Sequence, residues 1–401
     1  MLFGITLALF YLVGRWDWLR IFPGDGSEIL SQPRIWLVPI LLFLALMSYG
    51  TSAIQVIPGN FIAHRYRIIK LVVLWLAYGM LSLLWAPYFT ESLNKFLDVV
   101  LIMGSFVAIS FVIHNFKGDL LIKYFWLAIA LAGGLLALVA AAQIIATGPI
   151  AGIGRVSILG GGPNVFGRNM GLFALTCLHF TKHNKSGYLW GLLALLACTL
   201  VLLSGSRGAM LSLLGGIIIF VFIHRLTLKR ILSVSVSGIG FTIAILYVTG
   251  YLEMVREMYR IRVLDLLFRD NGELLYSSGR NILFRHAIEL GSTRPIFGNG
   301  LDSFAALGFG VYPHNLILEL FVEGGLFGLL LFFGVIALTI MFVNRYREWL
   351  YEQNVIALGF VLLASQFSGD IYNSIGLVIF ILLTCVPNTI NEGISTKNLM
   401  K

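Results

Sequence analysis

Residues 277–328 read SSGRNILFRHAIELGSTRPIFGNGLDSFAALGFGVYPHNLILELFVEGGLFG. Arginines, histidine, asparagine and a set of glycines crowd this stretch, which then turns into an apolar helix. Polar side chains are costly where water is excluded. A polar segment feeding an apolar span therefore marks a membrane edge and the place to look for chemistry.

The chain around it has 401 residues, of which 58% are hydrophobic and 12% charged, and its mean hydropathy is +0.90. Soluble domains carry about 25% charged residues, so the sequence reads as an all-α integral membrane protein. At about 20 apolar residues per span, the expected helices lie near 1–14, 33–50, 68–87, 97–114, 121–147, 164–181, 187–203, 208–224, 230–250, 314–343, 351–369 and 371–390. That is about twelve transmembrane helices in a single polytopic domain, 1–401. The apolar N-terminus has no basic n-region and no small-residue cleavage site after it, so it reads as a retained first helix. The one large connection, 251–313, joins the ninth and tenth helices and contains short helices. Cys177, Cys198 and Cys385 lie in apolar runs, as buried small hydrophobes do.

With both termini cytoplasmic, the inner loops and tail hold 14 of the 28 Lys and Arg residues, and the short outer loops hold seven: Arg15, Arg20, Arg34, Lys95, Arg155, Arg168 and Arg207. The positive-inside rule then turns the 251–313 loop outward. With that loop included, the outer side has thirteen Arg and one Lys, and the inner side six Arg and eight Lys. Lipid anchoring needs only charge, whereas a planar fork of donors suits bidentate phosphate recognition. Ion pairing with the loop's seven acidic residues is the plainer alternative. The net charge of +9 is scattered over short loops without a basic face, which argues against nucleic acid.

Three places could carry chemistry. At Ser204-Gly205-Ser206-Arg207-Gly208, small residues and a helix N-terminus suit an anion; a tight turn with a snorkelling Arg would look the same. Arg280 follows Ser278, a plausible N-cap, in a helix expected to stop at Gly291, with Arg285 and Arg294 as competing loop arginines. His314, in Tyr312-Pro313-His314-Asn315, is expected in the first turn of the tenth helix. There the dipole disfavours imidazolium, leaving a base for a hydroxyl proton or a residue that caps the helix. Glu319 and Glu323 would balance the arginines and histidine. Gly324, Gly325 and Gly328 would let another helix pack close. His179 and His183 have i, i+4 spacing but no third ligand nearby. No GxxxxGK[ST], HExxH or Asp-x-Asp is present, so nucleotide and a bound metal are not expected.

Ser206-Arg207-Gly208, Arg280 with its helix, Arg294-Pro295 with Gly298 and Gly300, and His314-Asn315 leading to Glu323-Gly324 together resemble the O-antigen ligase and polymerase superfamily, over roughly residues 150–375. The twelve-helix plan with one large outer loop is similar too. The resemblance implies an O-antigen ligase (lipid A–core:surface polymer ligase) of the bacterial inner membrane with its active site facing the periplasm. Such an enzyme is an inverting glycosyltransferase without metal, nucleotide or other cofactor. Its donor is an undecaprenyl-pyrophosphate-linked glycan and its acceptor a sugar hydroxyl of lipid A–core. Carried over, Arg207 and Arg280 grip the pyrophosphate and His314 is the general base. Arg168, Arg285, Asn315 and the rim carboxylate Asp370 are further substrate-binding candidates. Rivals are an O-antigen polymerase, a protein O-oligosaccharyltransferase, and a polyprenyl-glycan flippase, which would place polar sites at the membrane midplane. A variant mechanism would use Asp17, Asp25 or Glu28 as base.

Overall fold

The structure, a computed structural model, describes residues 1–13, 32–48, 59–115, 118–147, 155–158, 162–183, 186–227, 238, 240–244, 246–248, 250, 252–253, 255–256, 260, 280–367 and 374–388. The amphipathic 251–270 segment falls largely outside them, and so does about half of the expected ninth span. Among the described residues there is no strand, only one isolated bridge between Leu350 and Pro387.

The helices are α1 (Leu2–Val13), α2 (Pro33–Met47), α3 (Gly59–Leu81) with a 3₁₀ extension (Ser82–Trp85), α4 (Phe89–Asn115), α5 (Gly118–Thr147), α6 (Gly162–His183), α7 (Gly187–Leu203), α8 (Arg207–His224), α9 (Arg280–Thr293), the single turn α10 (Ser303–Ala306), α11 (Leu316–Arg345), α12 (Glu352–Ala364) and α13 (Ile375–Thr384). Among the described residues, five stretches are long and apolar enough to cross a membrane: Gly59–Trp85, Phe89–His114, Gly118–Ala146, Arg207–His224 and Leu316–Arg345. Helices apolar on every face are stable only inside a larger core or in lipid. Here large side chains such as Leu84, Ile145 and Leu330 point outward, as lipid-facing residues do. Every residue of α13 is buried, so this short helix is the centre of the bundle. It packs on α12 and α4.

The feature that shapes one end of the bundle is a break in α11. Gly325 has φ 61° and ψ −162° inside the helix, a backbone region open essentially to glycine alone. A break in a membrane helix frees backbone polar groups that must find partners. The loop after α9 supplies most of them. Asn299 N–H donates to Val322 O (2.8 Å) and Gly300 N–H to Glu323 O (3.1 Å). On the far side of the break, Leu326 N–H donates to Pro295 O (2.7 Å) and Phe327 N–H to Ile296 O (3.0 Å). The Tyr78 hydroxyl completes the set by donating toward Gly324 O, at 2.9 Å.

The glycines expected to seat a helix therefore divide in function. Gly324 and Gly328 do face a neighbouring helix, through the ring of Tyr78 on α3. Gly325 instead meets a loop, since a Cβ there would lie 2.5 Å from both Gly298 N and Ile296 O. Gly291 also differs from expectation: α9 runs through it to Thr293. Its missing side chain makes room for Phe321, whose ring would be 2.5 Å from a Cβ. The turn signal was a packing signal.

Candidate active site

Arg207 is the first residue of α8, and local chemistry fixes its position. Gly205 takes a left-handed turn with φ 59°, and Ser206 caps the helix, its Oγ accepting the Ala209 N–H at 3.3 Å. Capping of this kind satisfies one of the free N–H groups of the first turn. Arg155 braces the same turn from outside. Its Nε donates to Ser204 O (3.2 Å) and its Nη2 to Gly205 O (3.2 Å) and Asn164 Oδ1 (3.3 Å). Sequence reading counted Arg155 only as a loop cation.

Arg280 opens the described part of α9, and the fold brings it to Arg207. Burial lowers the Arg280 pKa, the like charge of Arg207 lowers it further, and Tyr312 acts in the opposite sense. Two guanidiniums within electrostatic range of each other repel unless an anion lies near both. Arg280 forms no ion pair among the described residues. The Tyr312 ring in turn stands edge-on to His314, with centroids 4.5 Å apart. Arg280 thus lies within electrostatic range of Arg207 and Tyr312, and Tyr312 touches His314, so α8, α9 and the approach to α11 bring these residues to one region.

His314 is not in the first turn of α11 and does not cap it. The helix starts at Leu316, and the cap is Asn315. Asn315 Oδ1 accepts the Leu318 N–H at 3.0 Å, and its Nδ2 donates to Gln366 O at 3.1 Å. Its amide is thus occupied by structure. His314 precedes the cap with φ 60°, a conformation that costs a non-glycine residue about 1–3 kcal/mol. Strain of that kind held at a polar rim is a pointer to function.

The other candidates take other places. Arg285 lies exposed on α9. Arg168, in the second turn of α6, donates through Nη2 to Ala364 O at 2.8 Å. It lines a small cavity of about 40 Å³ with Arg34, Tyr11 and Ser365, while the neighbouring Gly167 packs against Ser204 and Ala209 at the start of α8. Asp370, Ser278, Asp17, Asp25 and Glu28 lie outside the described residues. No cluster of three or more His, Cys, Asp or Glu side chains among the described residues could hold a metal ion.

Glu319 and Glu323 do not balance the arginines. Both reach Lys95 on α4, whose Nζ lies 2.5 Å from each carboxylate. All three residues are buried. Removing charges from water is tolerated when they pair and hydrogen-bond. Two carboxylates around one compact ammonium fasten the half-helix Leu316–Gly324, and with it Asn315, to α4. The one clue in the sequence was Lys95 itself, the lone lysine among the cations assigned to that side.

The apolar helices and this polar end are those of a multi-pass, all-α membrane protein. Residues 192–333 match the family model described as O-antigen ligase, so this stretch is similar to the O-antigen ligase superfamily. The superfamily points to a glycosyltransferase-like enzyme of lipopolysaccharide biosynthesis, with lipid-linked glycan and lipid A–core type substrates in general. The matched stretch contains Arg207, Arg280, Arg285, His314 and Asn315 and leaves out Lys95, Arg168 and Asp370. No curated protein matches the chain.

Proposed function

We propose that the protein is an O-antigen ligase that moves a glycan from undecaprenyl pyrophosphate to a sugar hydroxyl of lipid A–core. In this reading it is a twelve-span protein of the bacterial inner membrane, with both termini cytoplasmic and the Arg207 end facing the periplasm. The observation that carries the reading is that Arg280 lies within electrostatic range of Arg207 and of Tyr312, whose ring touches His314, at one end of an apolar bundle.

The chemistry follows from the residue types. The acceptor oxygen attacks the anomeric carbon and forms the new glycosidic bond as the bond to the diphosphate oxygen breaks. His314 takes the hydroxyl proton. Arg207 and Arg280 hold the diphosphate before transfer and stabilise the charge that grows on it as it leaves. Attack opposite the leaving group inverts the anomeric centre. Asn315 and Lys95 act through position, fixing the backbone from which His314 projects.

The test is an in vitro transfer assay with lipid-linked donor and, in separate arms, lipid A–core or a second lipid-linked glycan as acceptor. Glycan is expected on lipid A–core with the wild type and not with His314→Ala. Elongation of the lipid-linked glycan instead would make the protein a polymerase and overturn the ligase reading.

A further inference from the structure

Beside the loop that fills the break in α11 lies a cleft of about 760 Å³. One wall is the end of the Gly59–Trp85 span, with Leu81, Leu84 and Trp85. The other is the Arg294–Gly298 turn, with Ile296 and Phe297. The walls are joined rigidly. The Tyr78 hydroxyl shares its one proton between Gly324 O and Phe297 O, each 2.9 Å away, Leu301 N–H donates to Ser82 O at 3.3 Å, and Gly300 packs against the backbone of Ala86. Exposed apolar side chains on a membrane helix simply face lipid. Here, however, Ile296 and Phe297 come from a turn, are 60% and 59% exposed, and make the surface concave. Arg294 stands exposed at its edge and forms no ion pair or side-chain hydrogen bond among the described residues.

An apolar trough with a guanidinium exposed at its edge fits an amphiphile that carries phosphate where its acyl chains meet a sugar head. α9 has 14 residues, about 20 Å at a rise of about 1.5 Å per residue, and it separates Arg294 from Arg280. A lipid whose diphosphate lies on Arg207 and Arg280 cannot also place that charge on Arg294. We infer that the cleft seats the lipid anchor of the acceptor, a phosphorylated glycolipid, with its phosphate on Arg294 and its oligosaccharide running along α9 toward His314. The inference rests on the ligase reading, and it explains how two lipid-anchored substrates meet without competing for one site.

The experiment measures binding of three probes to the purified full-length protein: lipid A–core, the same glycolipid stripped of its lipid phosphates, and phosphatidylglycerol. Arg294→Gln should weaken lipid A–core binding about tenfold, as loss of a charged hydrogen bond does. Arg294→Lys should recover most of the loss, and stripped glycolipid should bind wild type and Arg294→Gln alike. In transfer assays the acceptor KM should rise with the donor KM unchanged. Unchanged lipid A–core affinity in Arg294→Gln, at an unchanged melting temperature, would overturn the inference. So would an equal loss for phosphatidylglycerol, which would make the cleft a general anionic-lipid seat. If lipid A–core binding depends on Arg294 but the wild type transfers no glycan to it, the cleft stands and the ligase reading fails.

Discussion

Two groups of charge sit close together at one end of this bundle, and they are built on opposite lines. Lys95, Glu319 and Glu323 are buried and paired with one another, an ammonium 2.5 Å from each of two carboxylates. Arg207 and Arg280 are within electrostatic range of each other, and Arg280 has no carboxylate against it among the described residues. The first group uses lysine as a point charge to hold two helices in register. The second places two guanidinium forks within electrostatic range of each other, where an anion near both would relieve their repulsion. Charge in this protein is thus structural where ions of opposite sign pair inside the bundle, as at Lys95, and open to chemistry where Arg280 meets no carboxylate among the described residues.

That contrast can be broken or sharpened by substitution. The largest effect on folding is expected from Lys95→Met, which leaves two buried carboxylates uncompensated. It should cost about 3–5 kcal/mol, read as a fall in melting temperature and yield of purified protein. The triple change Lys95→Met, Glu319→Gln, Glu323→Gln should recover much of it. A wild-type melting temperature in Lys95→Met would mean that the triad is not a fastening. His314→Ala should do the reverse, lowering transfer about a thousandfold, as loss of a general base does, with melting unchanged. Near-full transfer would remove the base from His314. Gly325→Ala should destabilise by about 1–3 kcal/mol from backbone strain and by more from the contact with the 296–298 turn; a stable variant would contradict the broken helix. Asn315→Ala should be mildest, about 1 kcal/mol for a lost cap, visible in thermal melting.

Much of this was legible in the sequence for a local reason. In so apolar a chain, Arg207, Arg280 and His314 are out of place, and each sits beside its own helix start, so the residues announce both themselves and their position. What escaped was non-local. Glu319 and Glu323 carry no mark of pairing with Lys95, more than 200 residues away. The break at Gly325 is hidden because hydrophobic residues continue on both sides of it, so periodicity runs through the gap. Gly291 resembled a stop because glycine ends helices and also lets aromatic rings approach them, and only Phe321 tells the two apart. His314 looked like a possible cap until the side chain of Asn315 was seen to fill that role.

The central claim is that two guanidinium forks at the rim hold a diphosphate. Its most direct measurement is the single-turnover transfer rate of Arg280→Lys at saturating donor, beside its melting temperature. A lysine keeps the charge and loses the fork, so the rate should fall about a hundredfold while the melting temperature holds. A wild-type rate from that variant would contradict the claim.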